Sequence, residues 1–230
     1  MKIQKKLCIG TVQLGQSYGP QKNKKIISLS ELSKFVSCLK KNKIKYLDTA
    51  LNYNFDKRIK NTNISLREFK IITKIPSPKK LKFNYKNKII FDLKKMLSNL
   101  NVKSFYAVLL HDSKNLKKNN YLEFLSLVKS LKKMKLIKYY GISIYSQLEF
   151  YNFRKYGKPE IVQGQLNIFD QTLLKENFHT NVGYSDHSDG INAGMLSVAL
   201  GASIIEKHIT INCDDDGPDH MASLDLKGFK

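Results

Sequence analysis

The chain has 230 residues and a formal charge of +21, with 40 Lys and Arg against 19 Asp and Glu, so it can hold one sizeable core. Arg occurs only at Arg58, Arg67 and Arg154 and the Lys are spread through a Lys/Asn/Ile-rich text, whereas base readout favours clustered, bidentate Arg; nucleic acid is not an expected partner. Cys8, Cys38 and Cys213 are too few and too scattered for a disulfide framework or zinc ribbon, and the longest apolar stretch, 195–205, is too short and too broken by Ser197, Gly201 and Ser203 to span a membrane.

Met1 to Lys6 is basic but runs straight into the first strand pattern, without the apolar core of a signal peptide, so a cytoplasmic protein is expected. The first strand candidate is 7–10. Ser28-x-x-Glu31 then has the form of a capping box, opening a helix whose Leu32, Phe35, Val36 and Leu39 share one face. Strand candidates follow at 45–49 and 70–75, and a helix carries the stripe Ile89, Leu93, Met96, Leu97 and Leu100. Next come a strand at 106–111, a helix with Phe124, Leu125, Val128 and Leu131 inward, and strands at 138–143 and 160–165. The last two strands are placed at 181–184 and 203–208.

Short apolar runs alternating with helical segments predict βα units and a parallel sheet, and eight strands predict a closed (β/α)8 TIM barrel over residues 1–230. Two of its helices are expected to be reduced. Residues 166–180 leave room for little more than two turns after the sixth strand, and few residues remain for a helix after the eighth. Uncovered strand faces predict low stability or self-association. An incompletely closed barrel is the alternative.

Four segments carry recognisable chemistry upstream: Gly10-Thr11-Val12-Gln13-Leu14-Gly15, Asp48-Thr49-Ala50-Leu51-Asn52-Tyr53, Thr73-Lys74 and Leu110-His111-Asp112. A phenol with a pKa near 10 is a poor proton donor or acceptor near neutrality unless an ammonium stabilises its ionised form. Residues 1–173 resemble an aldo-keto reductase, a family of NADPH-dependent carbonyl oxidoreductases. The resemblance implies Tyr53 as general acid, Lys74 as the ammonium beside it, Asp48 as the partner of Lys74 and His111 as the group orienting the substrate carbonyl. It also implies Ser143 and Gln163 as holders of the nicotinamide carboxamide. The chain departs from the family at Ile144, where Asn is common after that Ser, and after strand seven, where the segments that clamp the cofactor phosphates are missing. Losing three or four charge-assisted hydrogen bonds, at about 1.5–3 kcal/mol each, predicts weakened NADPH binding.

Downstream, Val182-Gly183-Tyr184-Ser185-Asp186-His187-Ser188, Ile205-Glu206-Lys207-His208-Ile209-Thr210 and Gly217-Pro218-Asp219-His220-Met221-Ala222-Ser223 resemble the end of the barrel of an N-acetylneuraminate (sialic acid) synthase. This covers about residues 174–230. The resemblance implies His187 and His208 as ligands of a divalent metal such as Mn or Mg; strands about 4.8 Å apart allow two such side chains to reach one ion. The substrate-binding residues of the synthase lie on strands that here belong to the other family. Three readings therefore stand side by side: a carbonyl reductase linked to sugar or surface-glycan biosynthesis, acting on a small carbonyl or sugar substrate; a synthase-like carbohydrate protein of phosphoenolpyruvate-dependent condensation type, retaining only the metal site; and a catalytically inert fusion product.

Overall fold

The computed structural model describes residues 7–16, 26–78, 84–114, 116–165, 181–199, 201–210, 212–214, 220–225 and 228. Eight parallel strands close into a barrel in sequence order: β1 Leu7–Gly10, β2 Tyr46–Ala50, β3 Lys70–Ile75, β4 Phe105–Leu110, β5 Ile137–Ile144, β6 Ile161–Gln165, β7 Asn181–Asp186 and β8 Ile204–Lys207. The chain is a (β/α)8 barrel. The expected bounds of β1 and β3 coincide with these, and the others differ by at most two residues, the usual uncertainty at element ends.

Both joins between the two sequence vocabularies close. At the first, β6 pairs with β7 from Ile161↔Asn181 to Gln165↔Ser185; at the second, β8 pairs with β1 through Ile205↔Leu7, Glu206↔Cys8 and Lys207↔Ile9. The open-barrel alternative is thereby excluded. Parallel pairing is made by backbone groups, so strands with unlike side chains pair wherever length and register agree.

Helices α1 Val12–Gly15, α2 Leu29–Lys41, α3 Phe55–Lys60, α4 Tyr85–Leu100, α5 Lys118–Lys133, α6 Gln147–Arg154 and α7 Asn192–Ala199 stand between the strands. The capping box at α2 forms as expected, Glu31 N–H donating to Ser28 Oγ at 3.1 Å and Ser28 N–H to Glu31 Oε2 at 2.7 Å. The predicted stripes on α2 and α4 are buried throughout. On α5 one expected residue is misplaced: Leu125 is only half-buried, while Tyr121 and Leu127 take core positions beside Phe124, Val128 and Leu131. Tyr121 belongs there because its ring packs on Phe153 at 5.7 Å and its hydroxyl donates to Ser113 O at 3.3 Å.

The segment expected to hold the helix after the sixth strand, 166–180, lies outside the described residues, as do Gly217, Pro218 and Asp219. After β8 the described residues form turns and a single bridge, Ile209↔Leu224, with no helix among them. No helix among the described residues is long and apolar enough to cross a membrane.

Alternation along the strands separates two environments. Outward side chains and the helices form the large core, from Ile9, Leu47 and Ile71 to Phe124 and Phe153. A second apolar cluster, Cys8, Ile72, Ala107, Leu109 and Ile161, shares strand faces with the site: Ile72, Leu109 and Ile161 lie two residues before Lys74, His111 and Gln163, and Tyr46, Tyr106 and Tyr139 pack against the cluster. Polar side chains are thereby left to the C-terminal mouth, where barrels of this kind build their sites.

Candidate active site

Successive strand ends deliver the site. Asp48 stands on β2 and Lys74 on β3; Tyr53 lies in the turn after β2, anchored by its amide donating to Ala50 O at 3.0 Å. His111 follows β4, with its amide donating to Ile75 O at 2.9 Å. Ser143 and Gln163 are register partners on β5 and β6, as Ser185 and Glu206 are on β7 and β8. All eight residues expected from sequence, Asp48, Tyr53, Lys74, His111, Ser143, Gln163, His187 and His208, line one cavity of about 160 Å³.

On one wall, Lys74 Nζ makes a direct, buried ion pair with Asp48 Oδ2 and lies 5.9 Å from the centre of the Tyr53 ring. The Tyr53 and His111 rings meet edge-on at 6.1 Å. Burial alone would depress the Lys74 ammonium, but Asp48 foremost, with Tyr53 and Glu206, holds its pKa above the ordinary value. Burial raises the Asp48 carboxyl, Lys74 opposes that shift, and Glu206 adds to it. Gln163 Nε2 approaches Asp48 Oδ2 at 3.5 Å.

On the facing wall, the ligand-capable atoms of His187, Glu206 and His208 all lie within 4.8 Å of one another. The two imidazole rings are 4.8 Å apart. Glu206 Oε2 accepts a 2.5 Å hydrogen bond from Ser185 Oγ, and its Oε1 lies 3.8 Å from His208 Nε2. Burial would raise the Glu206 carboxyl; His208, Lys74, the Ser185 hydrogen bond and His187 together bring it below the ordinary value. Glu206 thus stands in the field of both walls.

Glu206 is the residue whose part in the cluster the sequence reading missed. Its signal was present, because it precedes His208 by two residues on a strand and so shares its face. Gly10, the first residue of the Gly10-Thr11-Val12-Gln13-Leu14-Gly15 motif, makes room for that carboxylate: a Cβ there would sit 1.9 Å from Glu206 Oε1. The basic residue next to Glu206 faces the other way: Lys207 pairs with Asp186 at 3.2 Å, and Asp186 also accepts from Tyr184 Oη at 3.0 Å and from the Ser188 amide at 2.9 Å. His220 is likewise engaged elsewhere, 2.7 Å from Thr210 Oγ1.

The Aldo/keto reductase family model matches residues 6–187, which spans β1 to β7. The chain belongs to the aldo/keto reductase family. The NeuB family model matches residues 160–230, overlapping the first match from 160 to 187. Within that C-terminal part, the chain is 46% identical over 66 residues to the N,N'-diacetyllegionaminic acid synthase of Campylobacter jejuni, covering 29% of this chain and 20% of that one. It is 48% identical over 44 residues to the human N-acetylneuraminate-9-phosphate synthase, covering 19% of this chain and 12% of that one. The chain therefore spans about a fifth or less of the length of these curated relatives. Among solved structures, a Pseudomonas aeruginosa protein named as an aldo-keto reductase superposes with a TM-score of 0.69 at 17% identity, over 97% of this chain and 90% of that one. An aldo-keto reductase of Bacillus halodurans gives 0.58 at 18% identity, over 78% and 61%. At such identities the likeness is one of fold.

Proposed function

We propose that the chain reduces the carbonyl group of a small aldehyde or sugar with NADPH. The observation that carries this reading is the gathering of Tyr53, the Lys74–Asp48 pair and His111 around one cavity at the C-terminal mouth. Tyr53 is the proton donor to the carbonyl oxygen. The Lys74 ammonium beside it favours the ionised phenol that remains, and Asp48 fixes the ammonium in place. His111 meets the Tyr53 ring edge-on and bounds the space where a carbonyl oxygen would lie.

The nicotinamide end of the cofactor fits the residues present. Gln163 Oε1 is buried and has no hydrogen-bond partner among the described residues, and Ser143, its register neighbour, lines the same cavity; together they offer an acceptor and a hydroxyl to a carboxamide. When bound, NADPH supplies hydride to the carbonyl carbon. The phosphate end is less well served, since Lys207 is buried in its pair with Asp186 and cannot reach a pyrophosphate at the mouth. Weak dinucleotide binding is part of the proposal. So are a single hybrid barrel joined near residue 173, a cytoplasmic location suited to three free thiols, and a role in sugar or surface-glycan biosynthesis that rests on the relatives' names alone.

A second reading is favoured by the His187–Glu206–His208 cluster: two imidazoles and a carboxylate form a donor set for a divalent cation such as Mn or Mg. His208 Nδ1, buried and without a hydrogen-bond partner among the described residues, fits that reading. NADPH fluorescence titration to millimolar concentration and NADPH oxidation with a panel of aldehydes, on wild type and Tyr53→Phe, test the reductase reading. No fluorescence change and no Tyr53-dependent oxidation would overturn it; cation binding without reduction would favour the second reading, and neither would leave an inert fusion product.

A further inference from the structure

We infer that the two walls form one composite site for α-hydroxy carbonyl compounds, which would chelate a cation held by His187, Glu206 and His208 while the carbonyl oxygen meets Tyr53. This rests on the cation reading of the cluster. Three protein donors leave coordination positions open on a divalent ion, and those donors line the same small cavity as Tyr53 and His111. At about 160 Å³ the cavity is well below the roughly 300–1,000 Å³ of sites for larger ligands, so a ligand beside the cation has few heavy atoms.

The charge inventory selects among bidentate ligands. Asp48 and Glu206 already place two carboxylates in the field of one ammonium, Lys74, and Glu206 raises the Asp48 carboxyl further. A ligand whose second donor is a neutral hydroxyl adds no third anion; a second carboxylate would. A lone carbonyl offers the cation a single weak donor, whereas an adjacent hydroxyl closes a chelate ring with no second loss of translational freedom. Glu206 links the two walls, because it is held by Ser185, lies beside His208 and electrostatically reaches the Lys74–Asp48 pair.

The test follows Mn2+ binding by its electron paramagnetic resonance signal, with glycolaldehyde or propanal added and protein-free controls subtracted. Glycolaldehyde is expected to tighten Mn2+ binding about tenfold, equivalent to about 1.4 kcal/mol, and propanal by less than about twofold. Tyr53→Phe should keep the Mn2+ site but reduce the glycolaldehyde effect to about threefold, since the carbonyl contact is lost. His187→Gln, or His208→Gln should the first fail to melt cooperatively, should abolish both. Equal effects of the two aldehydes, or an effect untouched by Tyr53→Phe, would overturn the composite site. Absence of Mn2+ binding to the folded wild type would overturn the cation reading and the inference with it. None of these readouts uses NADPH, so failure of the reductase reading is seen separately.

Discussion

Replacing Gly10 by Ala tests the contact between the first strand and the last. The new Cβ would lie 1.9 Å from Glu206 Oε1 and 3.1 Å from its Cδ, so the carboxylate must move. Glu206 is 4% exposed and tied to Ser185, so moving it breaks a charge-assisted hydrogen bond that contributes about 1.5–3 kcal/mol. Reduced backbone freedom in the unfolded chain offsets about 0.4–1 kcal/mol. The net loss is about 1–2 kcal/mol, or a fall in melting temperature of about 2–8 °C for a chain of this size. The same movement takes a carboxylate from the His pair, and Mn2+ affinity should fall at least about tenfold. Differential scanning calorimetry in wild-type and Glu206→Ala backgrounds decides the cause. In the Glu206→Ala background the obstacle is gone and Gly10→Ala should become neutral or slightly stabilising. An undiminished loss there, or a wild-type melt for Gly10→Ala alone, would refute the packing account.

Lys74→Met leaves Asp48 as a buried carboxylate without its cation and should cost about 3–5 kcal/mol in urea unfolding; restoring near-wild-type stability by adding Asp48→Asn would locate the loss in that pair. Tyr53→Phe should lower any NADPH-dependent turnover by about 10²–10⁴-fold, measured as NADPH oxidation, and unchanged turnover would remove Tyr53 as proton donor. Lys207→Met strands Asp186 on the outer side of the barrel, so stability should fall by about 3–5 kcal/mol while Mn2+ affinity of the folded protein stays within about twofold. A large change in Mn2+ affinity would mean that Lys207 acts at the mouth after all.

Much of this architecture is legible in the sequence because its causes are periodic. Alternating apolar runs mark the strands and 3.6-residue stripes mark α2 and α4, so core residues such as Leu32, Phe35, Ile89 and Leu93 can be read directly. The stripe on α5 misled at Leu125, where the burial of Tyr121 depends on Phe153 and Ser113 from elsewhere in the chain. The strand count predicts closure, but the register at β6–β7 and β8–β1 was not legible, since it depends on the whole ring of eight. The site shows the same division. Asp48, Lys74, His187 and His208 stand at strand ends in recognisable words, but the reach of Glu206 to Lys74 and its dependence on Gly10 appear only when β8 lies against β1.

The pairing of β8 with β1 also orders events during synthesis. Residues 204–207 leave the ribosome last among the eight barrel strands, so a barrel formed without them presents two unpaired parallel edges, β1 on one side and β7 on the other. Any partial barrel must hold its mouth residues without Glu206 and His208. The ring of backbone hydrogen bonds and the joining of the two chemical walls are therefore one folding event, completed when the last strand meets the first.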